Sequence, residues 1–370
     1  MAENRCNTIE KGAFSPLRVT LAMSGGVDSA VAAHLLKKAG HDVIGVTLEM
    51  FDRSVLTPAA QALLSSATPI EDARDAADKL GMPHHVVNAS NEFRHSVIEP
   101  FIETYRTGGT PNPCVECNRC VKFGRLLDVA EELGYPFLAT GHYAKIEKTA
   151  GGRYLIRRAE DAKKDQTYML WSLTQKQLSR IIFPLGDITK EEAKEIAASL
   201  GFLSAKRKES QDICFIPDGD YAAFIEHATG ESFPAGDFLD KDGFKVGKHK
   251  GIIHYTVGQR KGLGIALGEP MYVSKKDAEK NTVTLVRNEE LFQRHVEVTR
   301  ANLMLTDRID VPIRVRAQVR YHHTPVPATV TEISDDRLLV EFDEPVRAVA
   351  PGQSLVFYEG EYLAGGGIIS

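Results

Sequence analysis

The stretch that most constrains the fold is residues 17–48. Leu17 to Met23 reads as a short buried strand, Ser24-Gly25-Gly26-Val27-Asp28-Ser29 as a glycine-rich turn, Ala30 to Ala39 as a helix with apolar residues at helical spacing, and Asp42 to Leu48 as a second apolar strand. Gly40 ends the helix as a glycine just past the last turn usually does. This β-loop-α-β order with a short connection predicts a parallel sheet. The pattern continues downstream: residues 71–80 predict a helix, His84 to Val87 a strand, Glu92 to Tyr105 a helix, Val121 to Leu133 another, and Pro136 to Thr140 a strand. Alternation of this kind predicts an α/β fold, a doubly wound parallel sheet.

The turn also has its own chemistry. Between a strand and a helix, glycines let backbone N–H groups face an anion, serines add hydroxyl donors, and the helix contributes the positive end of its dipole. The turn is therefore shaped to hold phosphate. It is not a Walker A loop, which needs a lysine followed by serine or threonine that SGGVDS lacks. Packing alone would explain an isolated Gly-Gly, but not the whole SGGVDS in this setting.

Beyond about Pro217 the texture changes. A glycine- and lysine-rich stretch with few periodic helices predicts a small, mostly β central module. Short alternating segments such as Arg314 to Arg320, Leu338 to Phe342 and Ser354 to Tyr358, separated by turn residues, predict a small C-terminal β-barrel. The expected division is 1–217, 218–284 and 285–370. Forty-five basic against 50 acidic residues give a net charge of −5, which excludes indiscriminate binding of polyanions. Local basic patches remain, with Arg300, Arg308, Arg314, Arg316 and Arg320 outweighing the acids around them, and Lys245, Lys248, Lys250, Arg260 and Lys261 in the central module. No run is apolar enough to span a bilayer, and the start MAENRCNTIEKGAFSP has no signal-like apolar stretch, so a cytoplasmic location without membrane association is expected.

Five cysteines are too few for a disulfide scaffold, yet three form C-x2-C-x2-C at Cys114, Cys117 and Cys120, and Cys214 stands far downstream. Two prolines stiffen the approach to the triplet, and Asn118 reads as an N-cap for the helix that follows. Cys117 would then lie at a helix start beside Arg119 and Lys122, where a thiol pKa is lowered. Cys214, in the apolar SQDICFI stretch after Lys206-Arg207-Lys208, would by itself read as a core cysteine.

SGGVDS resembles the loop of the PP-loop ATP pyrophosphatases, which cleave ATP between the α and β phosphates and leave AMP on the substrate. TPNPxxxCN, TGHY (Thr140 to Tyr143), KDQTYML (Lys164 to Leu170), DICFI (Asp212 to Ile216), GQRKGLGI (Gly258 to Ile265), RYH (Arg320 to His322), PGQS and the terminal GGGII occur in order across nearly the whole chain. In this the chain resembles the tRNA-specific 2-thiouridylase (MnmA/TrmU) family. The resemblance implies ATP-dependent thiolation of C2 of the wobble uridine in tRNA, with Mg2+, and a sulfur-donor protein upstream.

The resemblance assigns ATP to Ala22, Met23, Ser24, Gly25, Gly26, Val27, Asp28, Ser29, Leu48 and Gly141, with Asp28 as a magnesium ligand and Gly141 allowing close backbone approach to the nucleotide. It implies Cys117 as nucleophile and Cys214 as persulfide carrier, with a disulfide between them as an end state. The target base falls to Asn112, Pro113 and Cys114, and tRNA contacts to His142, Lys164, Asp165, Gln166, Arg320, Tyr321 and Gln353. A flipped wobble base is expected, since its C2 must reach a pocket shared with ATP.

This chain departs from the family in carrying Cys114 where members carry aspartate. Three readings of the thiols stand at this point: redox cysteines without metal, a [4Fe-4S] cluster on Cys114, Cys117 and Cys214 with one open iron, or a structural zinc on all four thiolates. A closed zinc site would silence sulfur chemistry. Two other functions compete. A PP-loop synthetase acting on a small molecule would leave the paired cysteines unexplained, and a metal-stabilised RNA-binding protein would leave SGGVDS unexplained.

Overall fold

The computed structural model describes residues 16–63, 69–202 and 213–370. The basic run Lys206 to Lys208 and residues 210–212, which the sequence reading used, lie outside these. Strands β1 (Arg18–Ala22), β2 (Asp42–Glu49), β3 (His84–Asn88) and β4 (Phe137–Ala139) come first. A hairpin, β5 (Lys145–Lys148) and β6 (Tyr154–Arg157), follows, and then β7 (Ile181–Ile182). The first sheet is parallel throughout, in the order β3-β2-β1-β4-β7. The strand order reverses between β1 and β4, so the segments leaving their C-terminal ends flank the crevice where such sheets bind ligands. The segment after β1 is SGGVDS, and the segment after β4 is Thr140-Gly141-His142.

Helix α1 (Val27–Lys38) buries Ser29, Ala30, Val31, Ala32, Ala33 and Leu36. These mostly small residues let it sit close to the sheet. Asp28 in its first turn and Lys37 and Lys38 in its last complement the helix dipole.

The central module begins with helix α2 (Tyr221–Thr229), followed by β8 (Gly236–Leu239), β9 (Lys245–His249), β10 (Tyr272–Asp277) and β11 (Thr282–Val286), arranged β10-β11-β8-β9. Strands β12 (Phe292–Leu303), β13 (Ile313–Gln318), β14 (Val326–Ser334), β15 (Arg337–Arg347), β16 (Ser354–Glu359) and β17 (Tyr362–Ile369) then form an antiparallel barrel, closed by pairing of β12 with β17. Leu338, Val340 and Phe342 of β15 point inward at the period of two that the sequence displays.

One connection was not foreseen. The β5–β6 hairpin, which belongs by chain position to the first domain, extends the barrel sheet through pairing of Tyr362 with Arg157, and the Tyr362 hydroxyl donates to Glu147 at 2.8 Å. Apolar cores also cross between modules. Phe93, Phe101 and Cys117 pack in one cluster with Phe238, Ile253 and Val273, while Leu126, Tyr168 and Trp171 share another with Met304, Val356 and Leu363.

The helix around the cysteines differs from its prediction. It starts at Pro113, not near Val121, and runs as α over Pro113–Glu116, π over Cys117–Arg125, and α again over Leu126–Glu132. Asn118 is not its cap. That side chain is buried inside the helix's packing and donates to the Met169 carbonyl at 2.9 Å. Proline at the first helical position, which forfeits no intrahelical bond, allows the early start. No helix among the described residues is long and apolar enough to cross a membrane.

Candidate nucleotide and thiol site

Gly25 holds φ +74°, and a Cβ there would overlap the Pro69 carbonyl, so only glycine fits the bend. Gly26 precedes α1 without a side-chain cap, which leaves first-turn amides for an anion. Ser24 and Ser29 hold the loop through long contacts, Ser24 N–H to Ser29 Oγ at 3.3 Å and Ser29 Oγ to the Gly26 carbonyl at 3.0 Å. Met23 is buried and its side chain lies across Gly45, while Ala22 and Leu48 are half-buried at the strand ends.

Two residues at the loop were not anticipated. Lys190 Nζ donates to both carboxylate oxygens of Asp28, at 2.7 and 2.8 Å, and the Tyr143 hydroxyl donates to Asp28 Oδ1 at 2.8 Å. Tyr143 lay inside the TGHY motif, but nothing in the sequence around Lys190 beyond a helix-start pattern could have pointed to it. With both oxygens taken by a buried ammonium, Asp28 as arranged here does not fit a magnesium ligand. Gly141 also differs from expectation. Its missing side chain makes room for the backbone of Asp28 and Ser29, about which a Cβ would sit at 3.0 Å, so the close approach is to α1.

The thiols form the second half of the site. Cys117 is buried, Cys120 half-buried, and Cys114 and Cys214 are exposed; all four are free. Solvent reaches Cys114 and Cys214, yet enough protein surrounds each to desolvate its thiolate. Burial pushes the Cys117 thiol up to about 11 and Cys214 up to about 12, and raises Cys114 as well. The expected low thiol pKa is therefore overturned for this resting arrangement, because Cys117 sits in the apolar core, one turn inside the helix.

Negative charge on Cys117 or Cys114 would further raise Cys214, so residues far apart in sequence lie within electrostatic reach of each other. Lys122 opposes the rise at all three. Arg119 does not share this role, since it pairs with Glu116 at 2.6 Å, an acid that also binds Arg300 at 3.0 Å. Among the described residues no three metal-ligating side chains come close enough together to hold a metal ion. As placed, the thiols do not fit a cluster or a zinc site.

The remaining predicted contacts form the frame. His142 is buried with Nδ1 2.7 Å from Thr140 Oγ1 and its ring between Phe123 and Phe183; burial holds it neutral, well below the usual histidine range. Asp165 is buried and accepts from Ala159 N–H, Thr167 Oγ1 and Arg158. Gln166 exchanges two hydrogen bonds of 2.9 Å with the Tyr143 backbone. Tyr321 donates to the Asp165 carbonyl at 3.0 Å, and its ring lies 5.6 Å from Tyr168.

Arg320 Nη2 donates to the carbonyls of Val257 and Ala348 at 2.7 and 2.9 Å, and Gln353 Nε2 to those of Thr110 and Pro111 at 3.0 and 2.9 Å. Lys164 and Asn112 are half-buried beside them, and Pro113 is buried. Asn112 lies within reach of Tyr168, which stood inside the KDQTYML motif without a role and whose hydroxyl donates to the Ser354 carbonyl at 2.7 Å.

A parallel sheet with its anion loop at the switch point, followed by two β modules, defines a PP-loop nucleotide-binding protein of the HUP class. Residues 17–218 match the tRNA methyl transferase HUP domain, 222–287 the tRNA methyl transferase PRC-barrel domain, and 293–369 the Aminomethyltransferase beta-barrel domain. A tRNA-specific 2-thiouridylase MnmA from Lachnoclostridium phytofermentans is 45% identical over 95% of this chain and 99% of its own. One from Treponema denticola is 47% identical over 95% and 98%. The chain belongs to the tRNA-specific 2-thiouridylase MnmA family. A solved NMN synthetase from Francisella tularensis overlaps 59% of this chain and 79% of its own at 14% identity and TM-score 0.32, too remote to bear on function.

Proposed function

We propose that the protein is an ATP-dependent tRNA-uridine 2-sulfurtransferase that converts the wobble uridine to 2-thiouridine. The observation that carries this reading is that Cys117 and Cys214, from distant parts of the chain, come within electrostatic reach of each other in a chain of the 2-thiouridylase family. The carbonyl oxygen at C2 is a poor leaving group. Its attack on the α phosphorus of ATP expels pyrophosphate and leaves AMP on that oxygen. The loop Ser24 to Ser29 would hold the phosphates through amides and hydroxyls.

Cys214 is reachable from solvent and is suited to accept sulfur from a donor protein as a persulfide. The terminal sulfur bonds C2 and AMP departs. The Cys117 thiolate then attacks Cys214 Sγ, the sulfur–sulfur bond breaks with its electron pair kept by the sulfur on C2, and a Cys117–Cys214 disulfide remains for an external thiol to reduce. Lys122 would stabilise the thiolates in turn. Cys114 replaces the family aspartate at the target-base position beside Asn112 and Pro113, where a thiol pushed up by burial serves as a neutral contact. The poor fit of the thiols to a metal favours the redox route over a cluster or zinc.

His142, Asp165, Gln166, Arg320, Tyr321 and Gln353 would shape the surface that receives tRNA by fixing its backbone, with Lys164 beside them. In this reading 1–217 carries the chemistry, while 218–284 and 285–370 serve tRNA.

The test is incubation of anaerobically prepared, iron-free protein with ATP, magnesium, a persulfide donor and unmodified tRNA. AMP release that depends on tRNA, together with 2-thiouridine in the product, is the expected outcome. Cys117→Ser and Cys214→Ser should each abolish the product while tRNA still binds. An active Cys214→Ser protein would overturn the carrier assignment, and AMP release without tRNA would favour a small-molecule synthetase.

A further inference from the structure

Lys276 stands on β10 of the central module, is 8% exposed, and sends its side chain into the first domain. Its Nζ donates to the carbonyl of Gly109 at 3.0 Å and to that of Tyr255 at 2.8 Å, and lies 5.3 Å from the centroid of the Tyr105 ring. The phenols nearest it are Tyr105 and Tyr255, with Tyr221 stacked on Tyr105; the same elements also carry Glu103 and Arg106 around Tyr105, His254 beside Tyr255, and Lys275 and Asp277 on β10. Burial raises all three phenols, so they are neutral; burial is also what draws the ammonium down, and among the described residues no ion pair is formed to it. A lysine without a countercharge is an expensive choice for a packing position, because two apolar groups of similar shape would fill it at less cost.

Gly109 opens the loop that leads to Asn112, Pro113 and Cys114. The barrel grips this loop from another side: Thr110 N–H donates to the Pro351 carbonyl at 2.7 Å, and Gln353 holds the next two carbonyls. Gly108, at φ +85°, lies against Lys276 itself, with the Lys276 carbonyl 3.2 Å from where a Cβ would stand. The backbone entering the thiol helix is thus held by one residue of the central module and a short segment of the barrel.

We propose that Lys276 is a positioning residue: by clamping the Gly109 carbonyl from the central module, it fixes the loop that presents Asn112, Pro113 and Cys114 to the target base. A neutral amine has two N–H groups, which match the two carbonyls, whereas an ammonium has a third with only the Tyr105 ring to face. Burial draws the ammonium down to about 7, so the clamp changes charge near neutrality. The sign follows from the lowered value: below about pH 7 the buried charge costs stability, and the cost fades as the pH rises from 7 towards the unfolded value of 10.5.

The turnover arm of the test rests on the proposed thiolation, so a second arm is independent of it. Lys276→Met is compared with the wild type by hydrogen exchange of the amides in 108–114 and by thermal melting from pH 6 to 9, without RNA. We expect loop protection to fall in the variant, and the wild type to gain stability relative to it as the pH rises above 7. In the thiolation assay kcat should fall about tenfold or more, as small misplacements of reacting groups do, with the Kd for tRNA changed less than about twofold.

Loop protection and a melting pH dependence identical in the two proteins would overturn the inference. A wild type that does not thiolate tRNA would overturn the proposed function and leave the exchange arm to judge Lys276. Lys276→Gln, which keeps a donor, serves the same comparisons if the methionine variant does not fold, with protection intermediate between wild type and loss.

Discussion

Cys117 shows how strongly surroundings set the chemistry of one residue. A thiol buried in an apolar core and raised to about 11 is unreactive at neutral pH. Alkylation of Cys117 and Cys214 by iodoacetamide in the free protein should therefore be slow at pH 7.5 and should rise about tenfold per pH unit up to roughly pH 10. Quenched-flow labelling with peptide mapping measures this. A plateau near pH 8 would show that the thiols ionise as the sequence environment of Arg119 and Lys122 had suggested. Asp28 likewise has its contacts set by a distant residue, since both its oxygens accept from Lys190.

At the scale of elements, the phosphate turn and the thiol helix each depend on a local departure from regular backbone. Gly25 provides the left-handed bend, and Gly25→Ala adds both backbone strain and a clash with Pro69, worth ~1–3 kcal/mol at the loop. ATP affinity measured by equilibrium dialysis should fall about tenfold or more, while circular dichroism and tRNA binding stay as they are. Unchanged affinity would remove the loop from the nucleotide site.

In the thiol helix the departure is the π segment over Cys117–Arg125. In an α-helix, at about 100° per residue, the residue five positions on lies about 140° around the cylinder from the first. The wider π turn brings Lys122 back towards the face of Cys117. The residue pair was readable in the sequence, but the backbone winding that joins them was not.

At the scale of the whole molecule, the modules are not beads on a string. The β5–β6 hairpin extends the barrel sheet, two apolar cores cross module lines, and Arg320 ties the central module to the barrel through the Val257 and Ala348 carbonyls. Arg320 was expected to contact tRNA from a basic patch. Its guanidinium is instead half of a backbone clamp, so Arg320→Ala should leave two carbonyls short of a donor, cost ~1–3 kcal/mol and lower the melting temperature. The salt dependence of tRNA binding should keep its slope. A slope reduced by about one would return Arg320 to a phosphate contact.

The sequence alone determined the parallel sheet, the anion loop, the barrel and the family, because each depends on short-range pattern: strand and helix periodicity, a glycine-rich turn between them, and motifs whose residues are neighbours in the chain. Tertiary structure decided what no short window contains. Lys190 reaches Asp28 and Lys276 reaches Gly109 across more than a hundred residues of chain, and Cys117 lost its expected acidity because the helix begins at Pro113 and packs into a core shared with another module. Charge pairing and burial depend on distance in space, which local sequence does not encode.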